Sequence, residues 1–127
     1  MNTGYGNLNL KDLIGTPYEV LDCWGVAKKF YEETFCLKIK DYYTDRPDDK
    51  FTTKNLIYTN CGDFEAVTKP QFGDILVFRV KGVESHIGVY IGSELFLHSS
   101  KHIGCVLDRM SKWTPYLSGI YRHRKNA

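Results

Sequence analysis

Ser85-His86-Ile87-Gly88-Val89-Tyr90-Ile91-Gly92, followed across a short turn by Phe96-Leu97-His98-Ser99-Ser100, places one histidine on each of two consecutive strands. Both runs are rich in branched and aromatic residues, and Gly92-Ser93-Glu94 between them is a turn signal, so they read as an antiparallel hairpin. In the first strand Ile87, Val89 and Ile91 point to one face and His86, Gly88 and Tyr90 to the other. Gly88 leaves an open spot beside His86. A three-residue loop over 91–93 sets His86 directly across from His98. A two-residue turn puts them on opposite faces unless a bulge restores the register.

Outward from this hairpin, Ile75 to Val80, Gly104 to Asp108 and Gly119 to Arg124 read as further short strands separated by Gly, Ser and Lys turns. Lys69-Pro70-Gln71-Phe72-Gly73-Asp74 is the turn that leads into them. Upstream, Asp22 is a good N-cap and sets Cys23 at the first position of a helix ending near Phe35 to Leu37. Cys23, Val26, Ala27, Phe30, Tyr31 and Thr34 follow helical spacing on one face, with Lys28, Lys29, Glu32 and Glu33 mostly opposite. Gly15-Thr16-Pro17-Tyr18 is a turn, Asp41 to Lys50 a polar loop, and Phe51 to Asn60 a short second helix ended by Cys61-Gly62-Asp63. A helix followed by meandering antiparallel strands is an α+β plan: the helix carrying Cys23 packs on a sheet of five or six strands. Residues 1–14 are expected to be loose, 15–124 to form the single domain and 125–127 to be a tail.

A cysteine at a helix start, a histidine beside it and a third polar group to hold that histidine make a nucleophilic triad. The helix dipole and a nearby imidazolium both favour the thiolate, which is the attacking species. Cys23 is the candidate nucleophile, His86 the base and His98 the orienting group. A lone cysteine in this place reads as a small core residue; the two histidines change that reading. His102, in a Ser-Ser-Lys-His turn, and His123, in the basic tail, are expected to be solvated. One Cys and two His could also ligate zinc with an open position, but the short-range ligand pairs of dedicated sites are missing, so no metal or cofactor is expected.

The 127 residues are 43% hydrophobic and 25% charged, ordinary for a soluble globular protein. A net charge of +2 is too mild to argue for nucleic acid. No apolar run approaches the roughly 18 residues of a membrane span. The start, Met1-Asn2-Thr3-Gly4-Tyr5-Gly6-Asn7, lacks the regions of a signal peptide, so synthesis in the cytoplasm is expected. Cys23, Cys36, Cys61 and Cys105 form no C-x-x-C pair and are expected to be reduced, the last three in the core.

At these residues the chain resembles the NlpC family of papain-like cysteine peptidases, which cut peptide bonds in bacterial cell walls. Asp22-Cys23-Trp24-Gly25 is similar to the family's Asp-Cys-x-Gly nucleophile motif, and Phe72-Gly73-Asp74-Ile75-Leu76-Val77-Phe78 to its Pro-Gly-Asp strand. His86 to Gly92 resembles its His-φ-Gly-φ-Tyr-φ-Gly strand (φ apolar), and His98 falls at the usual distance for its third polar group. Asp-Cys-Trp-Gly, the aromatic Phe30-Tyr31 and the closing Gly119-Ile120-Tyr121-Arg122 look most like the branch found in phage and prophage tails.

The resemblance implies a papain-like fold with Cys23, His86 and His98 as the catalytic residues and Tyr18, Asp22 and Trp24 around the oxyanion and substrate pocket. It implies hydrolysis of an amide in the peptidoglycan stem peptide, typically between D-glutamate and the diamino acid, without a cofactor. Tail-tip proteins would be partners and a phage particle the place of action. Trp24 stands where many members have Ser, and only Glu19 to Asp22 separate Tyr18 from the nucleophile. Rival readings are a CHAP-like amidase and a non-catalytic tail module that retains the site. An acyltransferase of the lecithin–retinol type has His ahead of Cys, the reverse of this order.

Overall fold

Six strands form one antiparallel sheet in the computed structural model, which describes residues 10–39, 64–80 and 83–126. Helices α1 (Leu10–Leu13) and α2 (Cys23–Phe35) come first, then β1 (Phe64–Val67), β2 (Ile75–Val80), β3 (Val83–Gly92), β4 (Leu95–Ser100) and β5 (Gly104–Arg109). A single helical turn, α3 (Met110–Trp113), and a 3₁₀ turn (Thr114–Tyr116) lead into β6 (Leu117–His123). The strand order is β1-β6-β2-β3-β4-β5, an α+β architecture as expected. The expected second helix over 51–60 and Cys61 lie outside the described residues.

Both faces of the sheet are covered, and the sequence of β2 shows why. Ile75 and Val77 join α2 residues Val26, Ala27, Phe30 and Tyr31 in one core; Leu76 and Phe78 join Tyr90, Phe96 and Met110 in another. A strand buried on both sides reads as a continuous apolar run rather than an alternation. The second core is closed by α3 and the residues after it, with Trp113 and Leu117 packed against it. Neither α3 nor β1 was legible in the sequence. Each is four residues long, and its state is set by the neighbour it packs on rather than by its own pattern.

Three expectations need correction. Leu13, in the segment expected to be loose, is 3% exposed and belongs to the core under α2. His123, expected in solvent, is buried, its ring packed edge-on against Phe64 at 5.0 Å and Tyr31 at 5.8 Å. Pairing of β6 with β1 opposes His123 and Phe64, drawing the tail histidine inward. Cys36 is exposed rather than in the core, because it is the left-handed residue (φ 55°) that ends α2, its N–H donating to the Tyr31 carbonyl. Cys105 is fully buried, as expected.

The Gly73-Asp74 turn is a clamp. Asp74 is fully buried and accepts from Arg122 Nε (3.0 Å), Arg122 Nη2 (2.9 Å) and the Gln71 N–H (2.8 Å). The Gly73 N–H donates to the Tyr90 carbonyl, and the Tyr31 hydroxyl to the Gly73 carbonyl. One turn thereby ties α2, β2, β3 and β6 together. Asp74→Ala removes the carboxylate shared by Arg122 and the Gln71 N–H and leaves Arg122 Nη2 only its contact with the Lys69 carbonyl, so the variant is expected to lose about 1.5–3 kcal/mol of stability. A urea midpoint unchanged from wild type is the result that sinks this account of the turn.

Candidate active site

Asp22 caps α2 by accepting the Gly25 N–H at 2.7 Å, which leaves Cys23 as the first helical residue. The cap also explains Gly25. A Cβ there would lie 3.1 Å from the Asp22 carboxylate and 3.3 Å from the Leu21 side chain, so a side chain would press on the cap. The Asp-Cys-x-Gly pattern is therefore, in this chain, a helix start built around its first residue. On the other side the Cys23 thiol lies against the backbone N–H of Ile87, the residue after His86.

His86 follows an irregularity in β3. Phe78 pairs with His86 but Arg79 with Glu84, so Ser85 is an extra residue immediately before the histidine. A bulge bends the strand and re-aims the neighbouring side chain. A second bulge, at Ile91, settles the hairpin register. Val89 pairs with Leu97 and Tyr90 with Phe96, which carries on to His98 opposite Gly88. His86 and His98 thus share a face but sit diagonally, not directly across as a three-residue loop would place them. The turn itself is the two residues Ser93 and Glu94, both at positive φ (54° and 63°), as the tight hairpin geometry requires.

The diagonal places His86 Nε2 and His98 Nδ1 at 2.8 Å. His98 Nε2 lies 3.3 Å from Asp108 Oδ2, which also accepts the Trp113 indole N–H at 2.8 Å. Aromatic rings hold this series in place: Phe96 stacks on His98 at 4.7 Å and Trp113 on His86 at 5.6 Å. Asp108 and Trp113 escaped sequence reading. The available signal was alternation along β5, since Val106 opposes His98 and Asp108 lies two residues on, but it needs a register that only the folded hairpins supply.

Gly88 has a different role from the open spot expected of it. A Cβ there would lie 2.6 Å from Phe96 Cδ2 and 3.1 Å from the Leu97 carbonyl oxygen. The space is filled by the ring that supports His98. Gly88→Ala is therefore expected to displace Phe96 and with it His98. It should lower kcat/KM more than tenfold, since misplacing a catalytic group by about 1 Å costs up to roughly a hundredfold. Steady-state rates beside an unfolding curve check this; full activity in a folded variant would contradict it.

Burial governs the protonation of the site. It pushes the Cys23 thiol up to about 11, helped by the Asp22 charge and opposed by N–H donors of Ile87, Trp24 and Cys23 itself. Burial, and then His98, push His86 down to about 4. His98 is lowered as well, burial outweighing the pull of Asp108. The resting site is thus a neutral thiol beside a neutral imidazole, not the thiolate that a helix end and an imidazolium were expected to produce. The low dielectric penalises separated charge more than the helix start rewards it. The chemistry open to a neutral thiol and a neutral imidazole is general-base catalysis, in which the imidazole would accept the thiol proton as sulfur attacks.

Of the expected pocket residues, Tyr18 is half-buried, and its phenol is raised by burial and then by Cys23 and Asp22, which places it in the field of Cys23. Trp24 is fully buried in the core beneath α2, so it cannot line a substrate pocket. Its indole N–H has no hydrogen-bond partner among the described residues. The segment before α2 is tied to the sheet: the Gly15 N–H donates to the Cys105 carbonyl and the Cys105 N–H to the Thr16 carbonyl. Gly104 permits this contact, since a Cβ there would meet Thr16 O at 2.4 Å. His102 is exposed, as expected. Among the described residues no three His, Cys, Asp or Glu side chains are grouped to hold a metal ion.

Comparison with known proteins places this geometry. Residues 12–122 match the NlpC/P60 family. The chain is 24% identical over 114 residues to the murein DD-endopeptidase MepS/murein LD-carboxypeptidase of Escherichia coli K12, covering 89% of this chain and 53% of that protein. It is 27% identical over 108 residues to the tail tip assembly protein K of Escherichia phage N15, covering 81% of this chain and 42% of that one. The chain spans about half the length of these curated relatives. Among solved structures, the NlpC/p60 domain of the peptidoglycan hydrolase SagA superposes with a TM-score of 0.58 at 15% identity, over 88% of this chain and 91% of that one. NlpC1 from Trichomonas vaginalis superposes with a TM-score of 0.61 at 22% identity, over 90% and 41%.

Proposed function

Because the chain belongs to the NlpC/P60 family, we propose that it is a cysteine peptidase hydrolysing amide bonds in peptidoglycan stem peptides. The bond between D-glutamate and the diamino acid is the proposed target, and a phage or prophage tail, with tail-tip proteins as partners, the proposed setting. The observation that carries the reading is the hydrogen-bonded series His86–His98–Asp108, with the buried thiol at the start of α2 against the backbone N–H of Ile87, the residue next to His86.

In the reaction, Cys23 sulfur attacks the scissile carbonyl while His86 accepts the thiol proton. The tetrahedral oxyanion is held by the Cys23 N–H at the helix start, with the Tyr18 hydroxyl nearby. His86 then returns its proton to the departing amine, which leaves a thioester. Water, deprotonated by the same imidazole, attacks the thioester and frees the thiol and a new carboxylate. The group against His86 is His98, with the Asp108 carboxylate one step behind it, and this favours the peptidase reading over a CHAP-like amidase.

The test is digestion of purified peptidoglycans of the diaminopimelate and lysine types, with mass spectrometry of the soluble fragments. A new free amine on the diamino acid is expected. Release of whole stem peptides from the glycan would instead identify an amidase. Silence on every wall would identify a non-catalytic tail module.

A further inference from the structure

Asp108 sits one hydrogen bond beyond the residues that the proposed reaction uses, and its surroundings determine what it can do. Burial opposes its ionisation, but the Trp113 indole N–H, the Arg109 N–H, His98 and the charge of Lys112 hold its carboxyl below the usual range. An ionised carboxylate only accepts hydrogen bonds. Its Oδ2 takes the Trp113 N–H at 2.8 Å and faces His98 Nε2 at 3.3 Å; Oδ1 takes the Arg109 N–H at 2.9 Å. Lys112 Nζ stands 3.8 Å from Oδ2 but is largely in solvent. Every neighbour of the carboxylate is thus a donor, and the His98 nitrogen facing it carries the proton.

The consequence runs along the series. A neutral imidazole has one N–H and one bare nitrogen. With the proton on Nε2, His98 presents a bare Nδ1 to His86 Nε2, 2.8 Å away, which must then be the donor. His86 in turn keeps its lone pair on Nδ1, the ring nitrogen nearer the backbone where the thiol lies against Ile87 N–H. With the opposite tautomers the contact between the two rings survives but His98 turns a bare Nε2 on the Asp108 carboxylate, and a proton on His86 Nδ1 faces the thiol, so the base is lost.

We propose that Asp108 is a positioning residue that sets the tautomers of both histidines, so that the lone pair of His86 faces Cys23. The proposal rests on the peptidase reading for its kinetic consequence, while its structural content stands apart from activity. Asp108→Ala removes the acceptor and lets both tautomer series coexist. Asp108→Asn behaves differently. Two donors, Trp113 and His98, converge on one oxygen position and only Arg109 on the other, so the amide oxygen turns toward the pair and preserves the tautomer.

The experiment is long-range proton–nitrogen correlation NMR of histidine-labelled protein at neutral pH, for wild type and both variants, beside kcat/KM on peptidoglycan. Wild type and Asp108→Asn are expected to show His86 and His98 protonated on Nε2, with rates within a few-fold of each other. Asp108→Ala is expected to show mixed tautomers at both rings and a fall in kcat/KM of about 10- to 100-fold. Unchanged tautomers in folded Asp108→Ala overturn the proposal, whatever the rate does. So does an asparagine variant that matches the alanine one. A wild type inactive on every wall would overturn the functional reading alone, because the NMR spectra still decide the role of Asp108.

Discussion

Cys23→Ala is expected to abolish amine release from peptidoglycan, with kcat/KM lower by on the order of 10⁴ or more, because the alternative nucleophile is bulk water without a covalent intermediate. The loss is chemical rather than structural. Cys23 is 4% exposed and its side chain is one sulfur larger than alanine, while the cap from Asp22 to the Gly25 N–H does not involve the thiol. The variant should therefore unfold close to wild type and still bind the wall. Cys23→Ser keeps the shape but offers a poorer nucleophile, and should also be nearly silent. A spectroscopic companion follows from burial. The thiolate absorbance difference between wild type and Cys23→Ala should be absent at neutral pH and grow as pH rises toward about 11. An alanine variant that still releases amines would remove Cys23 from the chemistry and the peptidase reading with it.

His86→Ala is the second large effect, about 10²- to 10⁴-fold, the usual share of a positioned general base. Its sign with pH is also determined. The base is competent only when neutral, and burial and His98 lower His86 to about 4, so wild-type kcat/KM should stay level through neutral pH and fall as pH drops toward that value. The same shift couples to folding. Between the ordinary histidine value, about 6.5, and about 4, the unfolded chain takes up the proton first, so stability declines as pH falls through that window. His86→Ala should flatten that part of the stability curve while leaving little activity. An acid limb centred near pH 6 to 7, together with thiolate absorbance at neutral pH, would show an ion pair and overturn the neutral resting state.

Much of this was legible in one dimension because the physics involved is local. An acidic cap before Cys23, helical spacing to Tyr31 and a glycine at position 25 act within two turns of one helix. The strands from Ile75 to His123 are runs of branched and aromatic residues broken by turn residues, and all five begin and end within three residues of those runs. What failed to show depends on partners far along the chain. Phe64–Val67 becomes a strand because β6 is there to pair with it, and His123 becomes core because that pairing sets it against Phe64 and Tyr31.

The sequence by itself determined the class of fold, the residue types of the site and their assignment to a helix start and two strands. Cys23, His86 and His98 could be named because their spacing relative to caps and turns is short-range information. Only the tertiary structure decided how they meet: two bulges, at Ser85 and Ile91, shift the register so that the histidines meet on a diagonal and Phe96 occupies the space over Gly88. Only it could show Asp108 behind His98, Trp24 in the core rather than the pocket, and a site buried enough to hold thiol and imidazole neutral. The physical reason is common to all four. Register, packing and desolvation are properties of groups brought together across the sheet, and each is fixed only when every strand between them has paired.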